Sequence, residues 1–272
     1  MTDLPSSEQK LLWADTHLNS LKKRVQTFTN SRPVEITSHF KPKRPGYDTV
    51  FRIKRPTPPE ILLRVGDVIG NMRDALDHLI WEMTVANTGH ALPGTAWPII
   101  RRRADWPLTG KNGKPNNRSG EYKIRGVHPK YWSGVKSHQP FYRKRKDDAR
   151  PIHALWVLDE LRNLDRHRRL AVVPVSVEAT HTTIVLRDPV VPGPVREYFR
   201  VKPPKDGSVI ERWRMAPGLT ESDIQIAAEA TKPLLALNEP SAHQRYTDLI
   251  DTLERLHLSV LLVLREFAQL YD

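Results

Sequence analysis

Apolar residues recur at three- and four-residue steps in four stretches of the chain, and each stretch predicts an amphipathic helix. The longest runs over about 58–86, where positions 61, 62, 65, 68, 69, 72, 76, 79, 80 and 83 form one apolar stripe. Thr57 stands at the N-cap position, Pro58 at the first helical position and Glu60 where a capping box wants a carboxylate. At about 1.5 Å per residue this helix is roughly 40 Å long. Opposite the stripe lie Asp67, Asn71, Asp74, His78 and Trp81, with Arg73 on the flank. Gly66 and Gly70 fall off the stripe, where they allow close approach of a neighbour.

The other helices are expected at about 7–30, 151–168 and 241–270. Ser6 with Gln9, and Ser241 with Gln244, offer capping boxes for the first and last. VEITSHF and YDTVFRIK, parted by KPKRPG, read as a hairpin. Over 170–230, LAVVPVSVEA, HTTIVLRD, VREYFRV, VIERWRM and DIQIAAEA read as short strands of an antiparallel meander. The expected class is α+β, a single domain over 1–272. It has a four-helix bundle core, a small antiparallel β-sheet inserted between the third and fourth helices, and a basic loop-rich insertion at 91–150.

Charge changes this picture. The chain has 43 Lys and Arg against 31 Asp and Glu, a net charge of +12, which favours an anionic partner. Between Arg101 and Arg150 fifteen cations face four carboxylates, so nearly all the excess sits in the loop-rich insertion. Tyr122, Tyr131, Trp132, Phe141 and Tyr142 are interleaved with them. Cations for phosphates and aromatic faces for unstacked bases suit single-stranded nucleic acid. The candidate contacts are Arg101, Arg102, Arg103, Lys123, Arg125, Arg143, Lys144, Arg145 and Lys146. The simpler alternative is a solvated basic loop whose aromatics anchor it to the core.

The absence of cysteine excludes disulfides and thiolate metal sites. No apolar run has membrane-spanning length, so no membrane partner is expected. MTDLPSSEQK lacks the basic-then-apolar order of a secretory signal, which points to the cytoplasm.

Two helices carry the same short pattern: Arg73-Asp74-Ala-Leu-Asp-His78 and Arg162-Asn163-Leu-Asp-Arg-His167. Arginine, then Asp or Asn, then histidine four residues further on resembles the motif of the HEPN superfamily, helical bundles that often act as metal-independent ribonucleases. The resemblance covers the helices and not the β insertion. It implies an RNA endonuclease, as a toxin or phage-defence effector, without cofactor. Catalytic Arg73, Asp74, His78, Arg162, Asn163 and His167 would meet across a homodimer. ALDHL, WPI, QPF and LDRHR in succession also resemble uncharacterised proteins of actinobacteria and their phages.

In such a site RNA is cut by its own 2′-hydroxyl. A histidine moves the proton and an arginine neutralises the phosphate. Five residues of straight helix put Arg73 and His78 roughly 140° apart, so groups from elsewhere are needed. Asp74, one turn before His78, is the expected partner fixing its tautomer. Both Arg73 and His78 lie off the apolar stripe, so folding is expected to survive their loss.

Structural readings of the same residues stand beside these. Arg73 and Asp77 make an intrahelical ion pair, and Arg166, His167, Arg168 and Arg169 complement a helix C-terminus. Two further functional classes remain. One is a non-catalytic nucleic-acid-binding or assembly protein. The other is a metal-dependent hydrolase built from His78, His167, Asp74, Asp77 and Asp165, which lacks any strong metal-ligand spacing.

Overall fold

The computed structural model of the chain describes residues 5–110, 113–114, 116–142, 153–167, 172–176, 182–186, 195–198, 205–228, 233–237 and 247–268. The protein is α+β, and its residues gather into two compact units. The helical unit takes Met1–Lys22, Leu63–Leu170 and Ile250–Asp272; the β-rich unit takes Lys23–Leu62 and Ala171–Leu249.

Four long helices form where the apolar stripes predict them: α1 (Ser6–Asn30), α2 (Pro59–Thr88), α5 (Ala154–His167) and α6 (Leu249–Ala268). Two short helices, α3 (Gly120–Lys123) and α4 (Trp132–Ser137), lie in the loop-rich segment between α2 and α5. Val65, Ile69, Met72, Leu76 and Ile80 of α2 are fully buried, as are Leu158 of α5 and Leu253 and Val260 of α6. Burying each such side chain contributes about 1.5–3 kcal/mol.

The helix starts differ from the sequence expectation. Thr57 does not cap α2, because the helix begins at Pro59, one residue later than expected, and the Thr57 hydroxyl donates to the Val172 carbonyl. Ser6 is spent on partners from α2 rather than on Gln9. The last helix begins at Leu249, not near 241. Thr247–Asp248 is a short strand, β9, on the edge of a sheet, and the Ser241 and Gln244 box lies outside the described residues.

α2 and α5 run antiparallel along a polar seam. Asp165 faces Gly66, Arg162 faces Gly70 and Asp159 faces Arg73, descending on one helix as the other ascends. A Cβ on Gly66 would stand 2.7 Å from Asp165 Oδ1, and one on Gly70 would stand 3.0 Å from Arg162 Nη1. The two glycines therefore admit the neighbouring side chains, as their place off the stripe suggested. On the adjoining face of α2, α1 also packs antiparallel, with Lys10 pairing with Asp74 at 3.5 Å and His17 lying 3.9 Å from Asp67.

Among the described residues of the β-rich unit every pairing is antiparallel. The hairpin β1 (Val34–Phe40) and β2 (Gly46–Ile53) forms as predicted, and β6 (Val209–Arg214) then β5 (Val195–Tyr198) extend it into a four-stranded sheet. The later strands are not a simple meander. β3 (Val172–Ser176) pairs with β8 (Pro233–Leu237), and β4 (Thr182–Leu186) with β7 (Ile224–Ala228). VVPVS and PLLAL are apolar on both faces, and such runs seek one another in the interior. Leu235, Ala236 and Leu237 are buried, while Pro174 sits on edge strand β3, where its missing N–H is tolerated. No helix among the described residues is long and apolar enough to cross a membrane.

Candidate functional site

The chemistry flagged in the sequence divides between two sides of α2. On the inner side, Arg73 is only 8% exposed. Its Nη2 donates to the Trp97 carbonyl at 2.8 Å, and Nη1 sits 2.8 Å from Asp77 Oδ1 as an ion pair without the alignment of a hydrogen bond. Asp77 Oδ1 accepts from the Trp97 amide at 2.9 Å. One turn of α2 thus grips both backbone groups of a single residue: Asp77 takes the Trp97 N–H and Arg73 the Trp97 C=O. The Trp97 ring is fully buried, edge-on to Phe267 of α6.

The grip continues outward. Asp159 of α5 lies 3.9 Å from Arg73 Nε. The Ile100 amide donates to Gln139 Oε1 at 2.9 Å, and Gln139 Nε2 donates to the Val135 carbonyl at 2.9 Å. ALDHL, WPI and QPF are therefore parts of one internal lattice that ties the loop-rich segment to the helices. Arg73 belongs to that lattice, which corrects the expectation that folding is indifferent to it.

Lys123 of α3 completes the cluster. Burial pushes its ammonium below the ordinary lysine range, and Arg73 adds to this, against Asp159 and Asp77. Burial also raises the Asp77 carboxyl, against the pull of Arg73 and the Trp97 amide. Two cations and two carboxylates so share a partly buried site. The pattern did not single out Asp159, Trp97 or the burial of Lys123; only the i, i+4 spacing of Arg73 and Asp77 hinted at the pair.

On the outer side, His78 is half-buried, and its Nδ1 lies 3.0 Å from Ser6 Oγ at the start of α1. Ser6 Oγ donates to Glu82 Oε1 at 2.7 Å. Asp74 pairs with Lys10, so the partner of His78 Nδ1 is Ser6 and not the expected Asp74. Arg73 and His78 do not converge within this chain.

The second copy is placed differently. Arg162 Nη1 donates to Asp165 at 3.2 Å against Gly70, and exposed Asn163 reaches Asp159 at 3.4 Å. His167 ends α5, and its side chain lies outside the described residues. Both motif arginines therefore belong to the α2–α5 seam. Of the ligands of the metal-hydrolase alternative, His78 Nδ1 meets Ser6, Asp74 pairs with Lys10, Asp77 with Arg73 and the Trp97 amide, and Asp165 with Arg162, while the His167 side chain lies outside the described residues. Among the described residues no group of three or more His, Cys, Asp or Glu side chains is placed to hold a metal ion.

The basic segment sorts its cations into two groups. Arg101 pairs with Glu160 and stacks on Trp156 at 4.7 Å. Arg125 donates to the Tyr122 and Pro93 carbonyls and lies over the Tyr122 ring at 3.9 Å. These two and Lys123 hold the segment together. Arg102, Arg103, Arg118 and Lys130 are exposed, Arg102 beside Asp105 and Lys130 over the Tyr131 ring at 4.6 Å. Trp106 is buried, with Phe141 edge-on to it, whereas Tyr142 is 55% exposed. An open groove of about 280 Å³ lies beside Lys130 and Tyr131, walled by Gly134, Glu266 and Phe267. Arg143, Lys144, Arg145 and Lys146 lie outside the described residues.

Comparison with known proteins returns no match: no family model, no curated protein and no solved structure aligns with the chain.

Proposed function

We propose that the protein binds single-stranded nucleic acid, RNA being the first case to test, through the exposed cations and aromatics of residues 101–142. In this reading the four long helices form a bundle that serves as a rigid support, and the Arg73–Asp77 grip on Trp97 fixes the segment to it. The carrying observation is the separation of roles within the segment. Lys123 and Arg125 are half-buried and engaged within the segment and Arg101, though exposed, is paired with Glu160, while Arg102, Arg103, Arg118 and Lys130 face outward. Outward cations supply phosphate contacts, and Tyr131 with its groove and Tyr142 supply ring faces for unstacked bases. Fluorescence anisotropy with single-stranded RNA, single-stranded DNA and duplex RNA tests this. Salt-sensitive binding of the single strands is expected, and no binding even at low salt contradicts it.

A second reading is HEPN-type RNA cleavage. It is favoured by the seam that gathers Arg73 and Arg162, and by an anchored His78 on the outer face of α2. Since Arg73 is committed to Trp97, phosphate neutralisation in this reading falls to another cation. Incubating the same RNA with and without EDTA separates the classes. Chelator-resistant cleavage supports this reading, chelator-sensitive cleavage supports a metal-dependent hydrolase, and binding alone supports the first.

A further inference from the structure

We propose that Ser6 and Glu82 hold His78 in its Nδ1–H tautomer, leaving Nε2 as a proton acceptor. Proton counting sets the direction of each bond. Ser6 carries one hydroxyl proton, and its Oγ lies 2.7 Å from Glu82 Oε1. An ionised carboxylate only accepts, so that proton goes to Glu82. Ser6 Oγ can then meet His78 Nδ1, 3.0 Å away, only as an acceptor. The imidazole proton therefore sits on Nδ1.

Glu82 is itself held. Its Oε1 also accepts from the Ser7 amide at 3.0 Å, and its Oε2 from the Ser7 hydroxyl at 2.6 Å. Ser7 is 3% exposed, so these bonds are shielded from water. They satisfy a first-turn amide of α1 that has no partner within its own helix, so α2 supplies the cap that α1 lacks. The direction of the Ser6–His78 bond is thus set by a carboxylate that the packing of α1 on α2 keeps in place.

The consequence appears on the far side of the ring. Nε2 has no hydrogen-bond partner among the described residues and is not among the buried polar atoms. A free lone pair on Nε2 suits a ligand that brings an N–H or O–H donor. Where the cleavage reading holds, Nε2 is the atom that takes the 2′-hydroxyl proton, and Ser6 and Glu82 are positioning residues. The tautomer itself does not rest on that reading.

Long-range proton–nitrogen correlation spectra of the full chain, recorded with His78 neutral, test it. Wild type should show Nδ1 protonated and Nε2 unprotonated. Ser6→Ala should move His78 toward the Nε2–H form that an unrestrained imidazole favours in water. Glu82→Ala should do the same, because it frees the Ser6 proton to turn toward Nδ1. An Nε2–H signal in wild type overturns the proposal, as does an unchanged pattern in a folded Ser6→Ala protein. If the variants do not fold, the wild-type spectrum decides alone. Failure of wild type to cut RNA, with Nδ1 protonated, removes the cleavage reading and leaves the tautomer assignment standing.

Discussion

Arg73 and His78, five residues apart on α2, point to different neighbours. Arg73 is buried on the Trp97 carbonyl at 2.8 Å, and His78 reaches Ser6 at 3.0 Å. The two residues should therefore respond differently to removal. Arg73→Ala leaves the Trp97 carbonyl and the Asp77 carboxylate without their partner in a partly buried site. That should cost about 3 kcal/mol, between an orphaned polar group and a broken buried ion pair. His78→Ala loses one hydrogen bond, worth about 1 kcal/mol. Urea denaturation checks both, and equal midpoints for the two variants would mean that the grip on Trp97 carries no stability.

The same grip makes stability depend on pH. Burial raises Asp77 above its ordinary value of 3.8, so the folded chain holds that proton more tightly than the unfolded chain. Its contribution is fully present below the ordinary carboxylate range and is lost as pH rises through the raised value. Lys123 is lowered from 10.5, so its contribution is present above the ordinary lysine value and lost as pH falls through the lowered one. Asp77→Asn keeps a carbonyl acceptor for the Trp97 amide and removes the first effect. Above about pH 4 the variant should show a flatter stability profile than wild type in urea titrations. Parallel profiles would place Asp77 in water.

Gly120 ties the basic segment to its own core. A Cβ there would stand 2.3 Å from the ring of Trp106, which is 2% exposed and has Phe141 edge-on to it. Gly120→Ala should cost about 1–3 kcal/mol through overpacking and weaken RNA binding although no cation is touched. Full stability with wild-type affinity would show that the Trp106 ring moves aside freely.

The four helices were legible because their apolar stripes are long and regular, and Gly66 and Gly70 announced a close neighbour by lying off the stripe. Arg73 and Asp77 misled for a related reason. A charged pair off the stripe looks solvated in sequence, yet Arg73 is buried because Trp97, twenty residues after Asp77, offers its backbone C=O to Arg73 and its N–H to Asp77. The partners of His78 were out of reach too, since Ser6 is seventy-two residues away and looked like an ordinary cap. The β-rich unit was legible as strands but not as pairings, because β3 finds β8 across long intervening segments. Among the cations, exposed Arg102 and half-buried Lys123 read alike in a run of charge.

In the proposed function, single-strand binding falls on the outward cations of the basic segment. Its most direct test is the salt dependence of single-stranded RNA affinity for wild type and for the combined Arg102→Ala, Arg103→Ala, Lys130→Ala protein. Each phosphate contact contributes about 0.7 to the slope of log affinity against log salt, so the variant should be shallower by roughly 2. A folded variant with the wild-type slope would contradict the proposed surface.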